Sequence, residues 1–384
     1  MLSLVSGGRH VAFLVDVESG SLSVSIVALR AGKPHMLASE RSIIPPGERD
    51  EAHIVAWIST HLQETSSRLL STYEHNPDFS VYGPPTSVHV MLGMQFSRTR
   101  TARVTQQFPS ETLVTDALIA DLARKAGETP SELSKANILE SSVIRAQLNG
   151  YRTGKPAGKR ANFVSVVLFE SDYLPTIKSA VEHVMQTLLP GRTLVFHSRT
   201  YVFLKALQEL APHERDFLVI SVEGNHTDCI AVRKDELTDH LQAAEGNMTI
   251  LAKLTGEKGL PEDIVTQLRM IATDTCSTPA CEETKQKLAI IEPQLVKVFG
   301  ETFAKLSTTR RLPNACLLLA APELSLWLEN LFTRIDFAQF TITTRPLSII
   351  ALNDTHLDAF VEWHHGARDV NSGVFALFVN SETH

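Results

Sequence analysis

The chain has 384 residues, 43% of them apolar and 21% charged, which predicts two or three domains with sizeable cores and excludes disorder over most of its length. A formal net charge of -7 argues against a surface that neutralises nucleic-acid phosphates, so no nucleic-acid partner is expected. Four scattered cysteines, Cys229, Cys276, Cys281 and Cys316, are too sparse for a secreted disulfide scaffold and read as thiols in a reducing compartment.

Met1 to His10 has no apolar run behind a basic start, so a cleaved leader is not expected there, and no stretch approaches the ~20 apolar residues of a spanning helix. The run Val11 to Asp16, the turn Glu18-Ser19-Gly20-Ser21 and the alternating Leu22 to Leu29 predict a β-hairpin. A third strand is predicted over Met36 to Ile44, a helix carrying Ile54, Ile58, Leu62, Leu69 and Tyr73 on one side, and a buried strand at Val88 to Leu92. From about Gly93 to Glu170 the chain turns more basic. A polar strand holding Arg98, Arg100 and Arg103, a helix over Glu111 to Ala126, and strands at Ser142 to Leu148 and Phe163 to Phe169 predict a compact inserted unit.

A helix on Ile177, Val181, Val184 and Leu188 follows, then a strand at Thr193 to Phe196 and a helix at Tyr201 to Leu210. Phe217 to Ile220 then leads through Ser221-Val222-Glu223-Gly224-Asn225-His226-Thr227-Asp228 into Cys229 to Val232, a second hairpin built like the first. Helices are predicted at Met248 to Leu254, Pro261 to Thr273, Pro293 to Leu306 and Glu323 to Phe332, with strands at Ala315 to Leu319 and Phe340 to Thr344. The apolar piece Val374 to Val379 is too short to span a membrane and lacks flanking Lys or Arg, so it is expected to dock on the fold.

Two hairpins, each followed by β and α elements, imply a duplicated α/β fold facing itself across a cleft. Small turn residues let backbone N–H groups approach phosphate oxygens, and an acid at a strand end can hold a metal-bound water. Asp16 followed by Ser19-Gly20-Ser21 resembles the first phosphate loop of the actin-like ATPases, and Ser221 to Asp228 is similar to their second. Within that superfamily the basic insertion, with ESSVIRAQLNGYRTGKPAGKRANFVSVVLFES as its closing strand pair, resembles the SHS2-type subdomain of FtsA and PilM proteins.

The resemblance implies a two-lobed actin-like fold of RNase H-like duplicated βββαβα units. Its implied parts are 1–92 and 171–213 for the first lobe, 93–170 for the insertion, 214–235 and 309–352 for the second-lobe core, 236–308 for a helical subdomain, and 353–384 for a C-terminal segment on the first lobe. It also implies a nucleotide site at Asp16, Ser19, Gly20, Ser21, Ser221, Gly224, Asn225, Thr227, Asp228, Ala320 and Ala321, taking ATP and Mg²⁺.

The sequence departs from that pattern where it matters chemically. Glu18 and Glu223 stand where each loop has Gly, Ser221 replaces the acid that opens the second loop, and the adenine loop reads Ala320-Ala321-Pro322-Glu323. A carboxylate beside a triphosphate adds like-charge repulsion, and Pro322 removes an N–H donor. A pseudo-ATPase is therefore expected, with no catalytic residue. Glu18 and Glu223 as ligands of an altered metal site is the lesser reading, because neither was matched with a His or Cys at ligand spacing. Cys276 and Cys281 are expected as loop thiols, and Trp363-His364-His365 as a surface helix end.

Arg98, Arg100, Arg103, Arg152, Lys155, Lys159 and Arg160 form the candidate surface for an acidic partner. The PilM resemblance implies a cytoplasmic scaffold that grips the cytosolic tail of an inner-membrane assembly protein between the first lobe and the insertion, touching the membrane only through that partner. An FtsA-like division protein that polymerises at the membrane and a working ATPase remain alternatives. Homo-oligomer or filament formation stays open. The ending Phe378 to His384, without basic residues, favours PilM over FtsA and its amphipathic membrane helix.

Overall fold

The computed structural model describes residues 10–43, 50–210, 216–234, 236–255, 261–308, 310–364 and 368–384. Strands β1 (His10–Val17), β2 (Ser21–Leu29) and β3 (His35–Ile43) form an antiparallel meander. β1 and β2 are almost wholly buried because helices and strands cover both of their faces. Helix α1 (Glu51–His75) starts at Asp50, whose carboxylate accepts from the His53 N–H, and buries Ile58, Leu62, Leu69 and Tyr73. Strand β4 (Ser87–Leu92) then runs parallel to β1.

The insertion comprises β5 (Ser97–Leu113), α2 (Asp116–Gly127), β6 (Ile138–Leu148), β7 (Tyr151–Arg152) and β8 (Arg160–Tyr173). Its sheet has the order β5-β8-β6-β7 and buries Val164 and Val166 against Leu122 of α2. The predicted helix start at Glu111 is corrected, since β5 continues to Leu113 and Thr115 caps α2. Glu140 fastens the insertion to the first lobe, accepting from the Ser198 N–H and hydroxyl at 2.7 Å each and from the Ser171 hydroxyl.

The chain returns through α3 (Pro175–Leu188), β9 (Thr193–Ser198) and α4 (Arg199–Leu210). The second lobe holds β10 (Asp216–Val222), β11 (Thr227–Arg233), β12 (Glu236–Ala243), α5 (Asn247–Thr255), α6 (Pro261–Ala272), α7 (Pro279–Leu306), β13 (Ala315–Leu319), α8 (Pro322–Arg334) and β14 (Ser348–Ala351). After α9 (Asp354–Leu357), β15 (Glu362–Trp363) rejoins the first sheet, and α10 (Val370–Thr383) ends the chain. The first lobe's sheet runs β15-β3-β2-β1-β4-β9 and the second's β12-β11-β10-β13-β14. In each lobe the hairpin's first strand pairs antiparallel with the next strand and parallel with the strand that returns after helices, so the duplication is explicit in the topology.

Several expectations are corrected. Residues 236–243 form a sheet strand, so the helical part of the second lobe begins after them. Helix α7 starts at Pro279 and passes through Pro293, which occupies an interior turn despite having no N–H to donate. Phe340 ends a short 3-10 turn, and the strand expected at Phe340 to Thr344 lies instead at β14. Trp363 belongs to a strand beside β3 rather than a helix end, while His365 lies outside the described residues. Cys276 and Cys281, expected as thiols, are joined in a disulfide with Cα atoms 5.8 Å apart, whereas Cys229 and Cys316 are free and buried.

The lobes share one apolar core. Helices α4 and α10 lie between the two sheets, with Phe203, Leu207, Phe375 and Phe378 packed against Ala12, Leu14 and Val27 on one side and Phe217, Val219 and Ile230 on the other. The run Val374 to Val379 thus docks inside the fold, and Asn380 secures it by accepting from the Arg30 N–H at 2.9 Å and donating to Gly32 O at 2.7 Å. Among the described residues no helix is long and apolar enough to cross a membrane.

Candidate functional site between the two hairpins

The two hairpin turns meet directly. A Cβ built on Gly20 would lie 2.3 Å from Gly224 Cα and 2.9 Å from Gly224 N, so only glycine at both positions allows the backbones this approach. One main-chain N–H group in each turn is engaged within its own turn. The Glu18 N–H donates to Ser21 O at 2.9 Å, and the Glu223 N–H to His226 O at 3.0 Å. At the start of α5 the Asn247 and Met248 N–H groups donate to Glu223 O and Gly224 O, both at 2.7 Å.

Behind the turns sits a charge cluster centred on Arg199, the first residue of α4, whose side chain has no solvent exposure. Its guanidinium pairs with Asp16 and Glu18 and lies 3.6 Å from Glu223 Oε1. Glu18 also accepts from Ser21 Oγ and Asn371 Nδ2, each at 2.8 Å. Burial raises the Asp16 carboxyl to about 8 against the pull of Arg199, with Glu18 and Asp369 pushing the same way as burial. Glu18 goes down instead, because Arg199 and Arg41 together outweigh its burial. Arg199 has one charge for several acids, and Glu18 holds the larger share of it.

Asp228 lies at the far end of the second turn. Its Oδ2 faces His226 Nε2 at 3.1 Å, while Oδ1 accepts from His240 Nε2 and Gln242 Nε2 at 3.0 Å each. These donors hold its carboxyl well below the usual range despite burial. Burial raises Glu223 to about 7. His226, disfavoured as a cation by burial, is nonetheless lifted to about 9 by its bond to Asp228 and by Glu223. The view that Glu223 lacks a histidine partner is corrected, since His226 Nε2 stands 3.5 Å from Glu223 Oε2.

The remaining expected nucleotide residues divide between structural use and the rim. Ser19 and Ser221 are buried in the turns, Thr227 donates to Glu245 O at 2.6 Å, and Asn225 faces solvent. Ala320 and Ala321 border the space beside the turns, where Ala321 lines a cavity of about 490 Å³ together with Glu18, Gly20, Gly224, Met248 and Leu324, so both hairpin turns face it. The two turns touch through Gly20 and Gly224, and Asp16 is paired with Arg199 rather than open to a cation, which is an unfavourable seat for a triphosphate and Mg²⁺.

Sequence reasoning missed Arg199, Asn371, His226 and His240. One local signal existed for Arg199, a cation in the first turn of an apolar helix, where the helix dipole disfavours it and another reason for its presence is needed.

The expected partner surface is split. Arg98 and Arg100 are ion-paired with Asp172 and Glu170, and with Arg103 they line a groove of about 670 Å³. Arg160 stands at the opposite end of the 14-residue strand β8 from Arg98, on the order of 40 Å away along the sheet, whereas Arg152, which is level with Ser165 through Gln147, lies close in register to Arg103, opposite Val167. The groove runs between β5 of the insertion and β12 of the second lobe, not beside the first lobe alone. Its walls include Met94, Thr101, Ala102, Glu132, His240 and Gln242. Both strands are sheet edges, and Thr101 Oγ1 donates to Leu237 O at 2.8 Å between them.

No protein-family model matches the chain, and no curated protein matches it. Among solved structures it is similar to the PilM-PilN type IV pilus biogenesis complex, at 13% identity and a TM-score of 0.57, over 97% of this chain and 98% of that one. It is also similar to the ethanolamine utilization protein EutJ from Carboxydothermus hydrogenoformans, at 11% identity and a TM-score of 0.44, over 96% and 89% of the two chains. A Bacteroides thetaiotaomicron protein with an actin-like ATPase fold matches at 10% identity and a TM-score of 0.37, over 98% of each chain. From the end-to-end match to PilM and the duplicated hairpin topology, the chain has the two-lobed fold of the actin-like ATPases, in the form that PilM takes.

Proposed function

We propose that the chain is a non-hydrolysing actin-like scaffold that holds the cytosolic tail of an inner-membrane assembly protein, working in the cytoplasm and reaching the membrane through that partner. The observation that carries this reading is the pairing of two touching hairpin turns with an open groove. The turns that would hold a triphosphate are in backbone contact, while β5 and β12 present strand edges across about 670 Å³ of open space. An extended tail can add its main-chain hydrogen bonds to such an edge. The PilM relative is itself seen in a PilM-PilN complex, which supports a membrane-assembly partner.

The test uses fluorescent peptides of the cytosolic tails of single-pass membrane proteins encoded beside this chain. One tail should bind the full chain, and Ala102→Trp, which fills the groove, or Arg103→Glu should weaken that binding about tenfold, roughly 1.4 kcal/mol. Lipid vesicles alone should not bind the chain. Equal capture by wild type and both variants would remove the groove from the proposal, and direct vesicle binding would remove the indirect membrane contact.

A further inference from the structure

The cluster at the end of the second hairpin has too little positive charge. Asp16, Glu18, Glu223 and Asp228 are buried, Asp369 stands beside Asp16, and only the guanidinium groups of Arg199 and Arg41 face them, apart from the imidazoles of His226 and His240. Glu223 is 1% exposed, and neither of its carboxylate oxygens has a hydrogen-bond partner. Oε1 turns towards Arg199 at 3.6 Å. Oε2 turns the other way, 3.5 Å from His226 Nε2, which itself stands 3.1 Å from Asp228 Oδ2. One ligand atom from each of Glu223, His226 and Asp228 lies within 4.8 Å of the others.

These separations match a metal polyhedron. Donors at ~2.0–2.1 Å from a tetrahedral ion are about 3.3 Å apart, and the two separations to His226 Nε2, 3.1 and 3.5 Å, bracket that value, with the third pair within 4.8 Å. An outer shell is also present, because His240 and Gln242 hold the second oxygen of Asp228 and so aim Oδ2 at the gap. We infer that Glu223, His226 and Asp228 bind a divalent transition-metal cation of the zinc class, with water as the fourth ligand. An imidazole among the donors disfavours magnesium and calcium, which take oxygen. The ion would satisfy Glu223 Oε2, which makes no hydrogen bond, and tie the second hairpin to the Arg199 cluster without any nucleotide. His240 and Gln242 also line the groove between β5 and β12, which places the ion one hydrogen bond from that surface. The metal inference stands whether or not a tail binds there.

The test is a calorimetric titration of the chelator-stripped full chain with Zn²⁺ alone, paired with anomalous diffraction at the zinc edge from crystals of the loaded protein. One equivalent should bind, raise the melting temperature and give a peak among Glu223, His226 and Asp228. Glu223→Gln and His226→Gln should each weaken binding at least tenfold, whereas His53→Gln, at an exposed helix start, should leave it unchanged. No uptake by wild type, a peak only at surface histidines, or full binding by folded Glu223→Gln protein would each overturn the assignment. If the variants fail to fold, the position of the wild-type peak decides.

Discussion

Replacing Arg199 by Met is expected to cost the folded chain about 3–5 kcal/mol, because it leaves Asp16, Glu18 and Glu223 buried without their shared cation. The loss should grow with pH, and the sign follows from the groups themselves. In the metal-free native protein Glu223 at about 7, Asp16 at about 8 and His226 at about 9 keep protons that the unfolded chain has released, the acids above roughly pH 4 and the imidazole above about 6.5. Their folded forms therefore bind more protons, and stability falls as pH rises from about 4 towards 9. Asp228 acts oppositely, its contribution being present above about pH 4 and lost below it. Without Arg199 the acids hold their protons more tightly, which steepens the decline. Denaturant unfolding at pH 5.5 and 8.5 should show a smaller deficit for Arg199→Met at the lower pH. An equal deficit at both would mean that the arginine acts through packing alone.

The second large effect is expected at the contact of the turns. Gly224→Ala places a methyl 2.3 Å from Gly20 Cα, where only backbone can yield, so the hairpins must separate. Overpacking of this kind costs about 1–3 kcal/mol, and here no flexible side chain is available to absorb it. Gly20→Ala should cost a similar amount. Once one turn has been displaced, the second substitution meets less resistance, so the double variant should be milder than the sum by about 0.5–3 kcal/mol, measured by a double-mutant cycle. Strict additivity would show that the turns do not press on each other in solution.

Much of the fold could be read from residue patterns. The apolar run Val11 to Asp16 with the alternating Leu22 to Leu29, and the run Phe217 to Ile220 leading through a turn into Cys229 to Val232, marked both hairpins, and the spacing of Ile58, Leu62, Leu69 and Tyr73 placed α1. The failures have physical causes. Strand β12, ELTDHLQA, is a partly exposed edge whose polar residues mask its period, and Pro293 inside α7 mimics a helix start. The turns at Ser19-Gly20-Ser21 and Glu223-Gly224 could be found, and their glutamates flagged as misfits for a triphosphate. What those glutamates meet could not be found. Arg199, Asn371 and His240 come from distant parts of the chain, and only the packing of α4, α10 and β12 against the hairpins brings them together.

The central claim, that the touching hairpin turns and the Arg199 cluster leave no seat for a triphosphate, is tested most directly by calorimetric titration of the purified chain with ATP and Mg²⁺, with released phosphate measured in parallel. No saturable binding up to millimolar nucleotide and no phosphate release are predicted. One-to-one binding at micromolar affinity, with steady release of phosphate, would contradict the account.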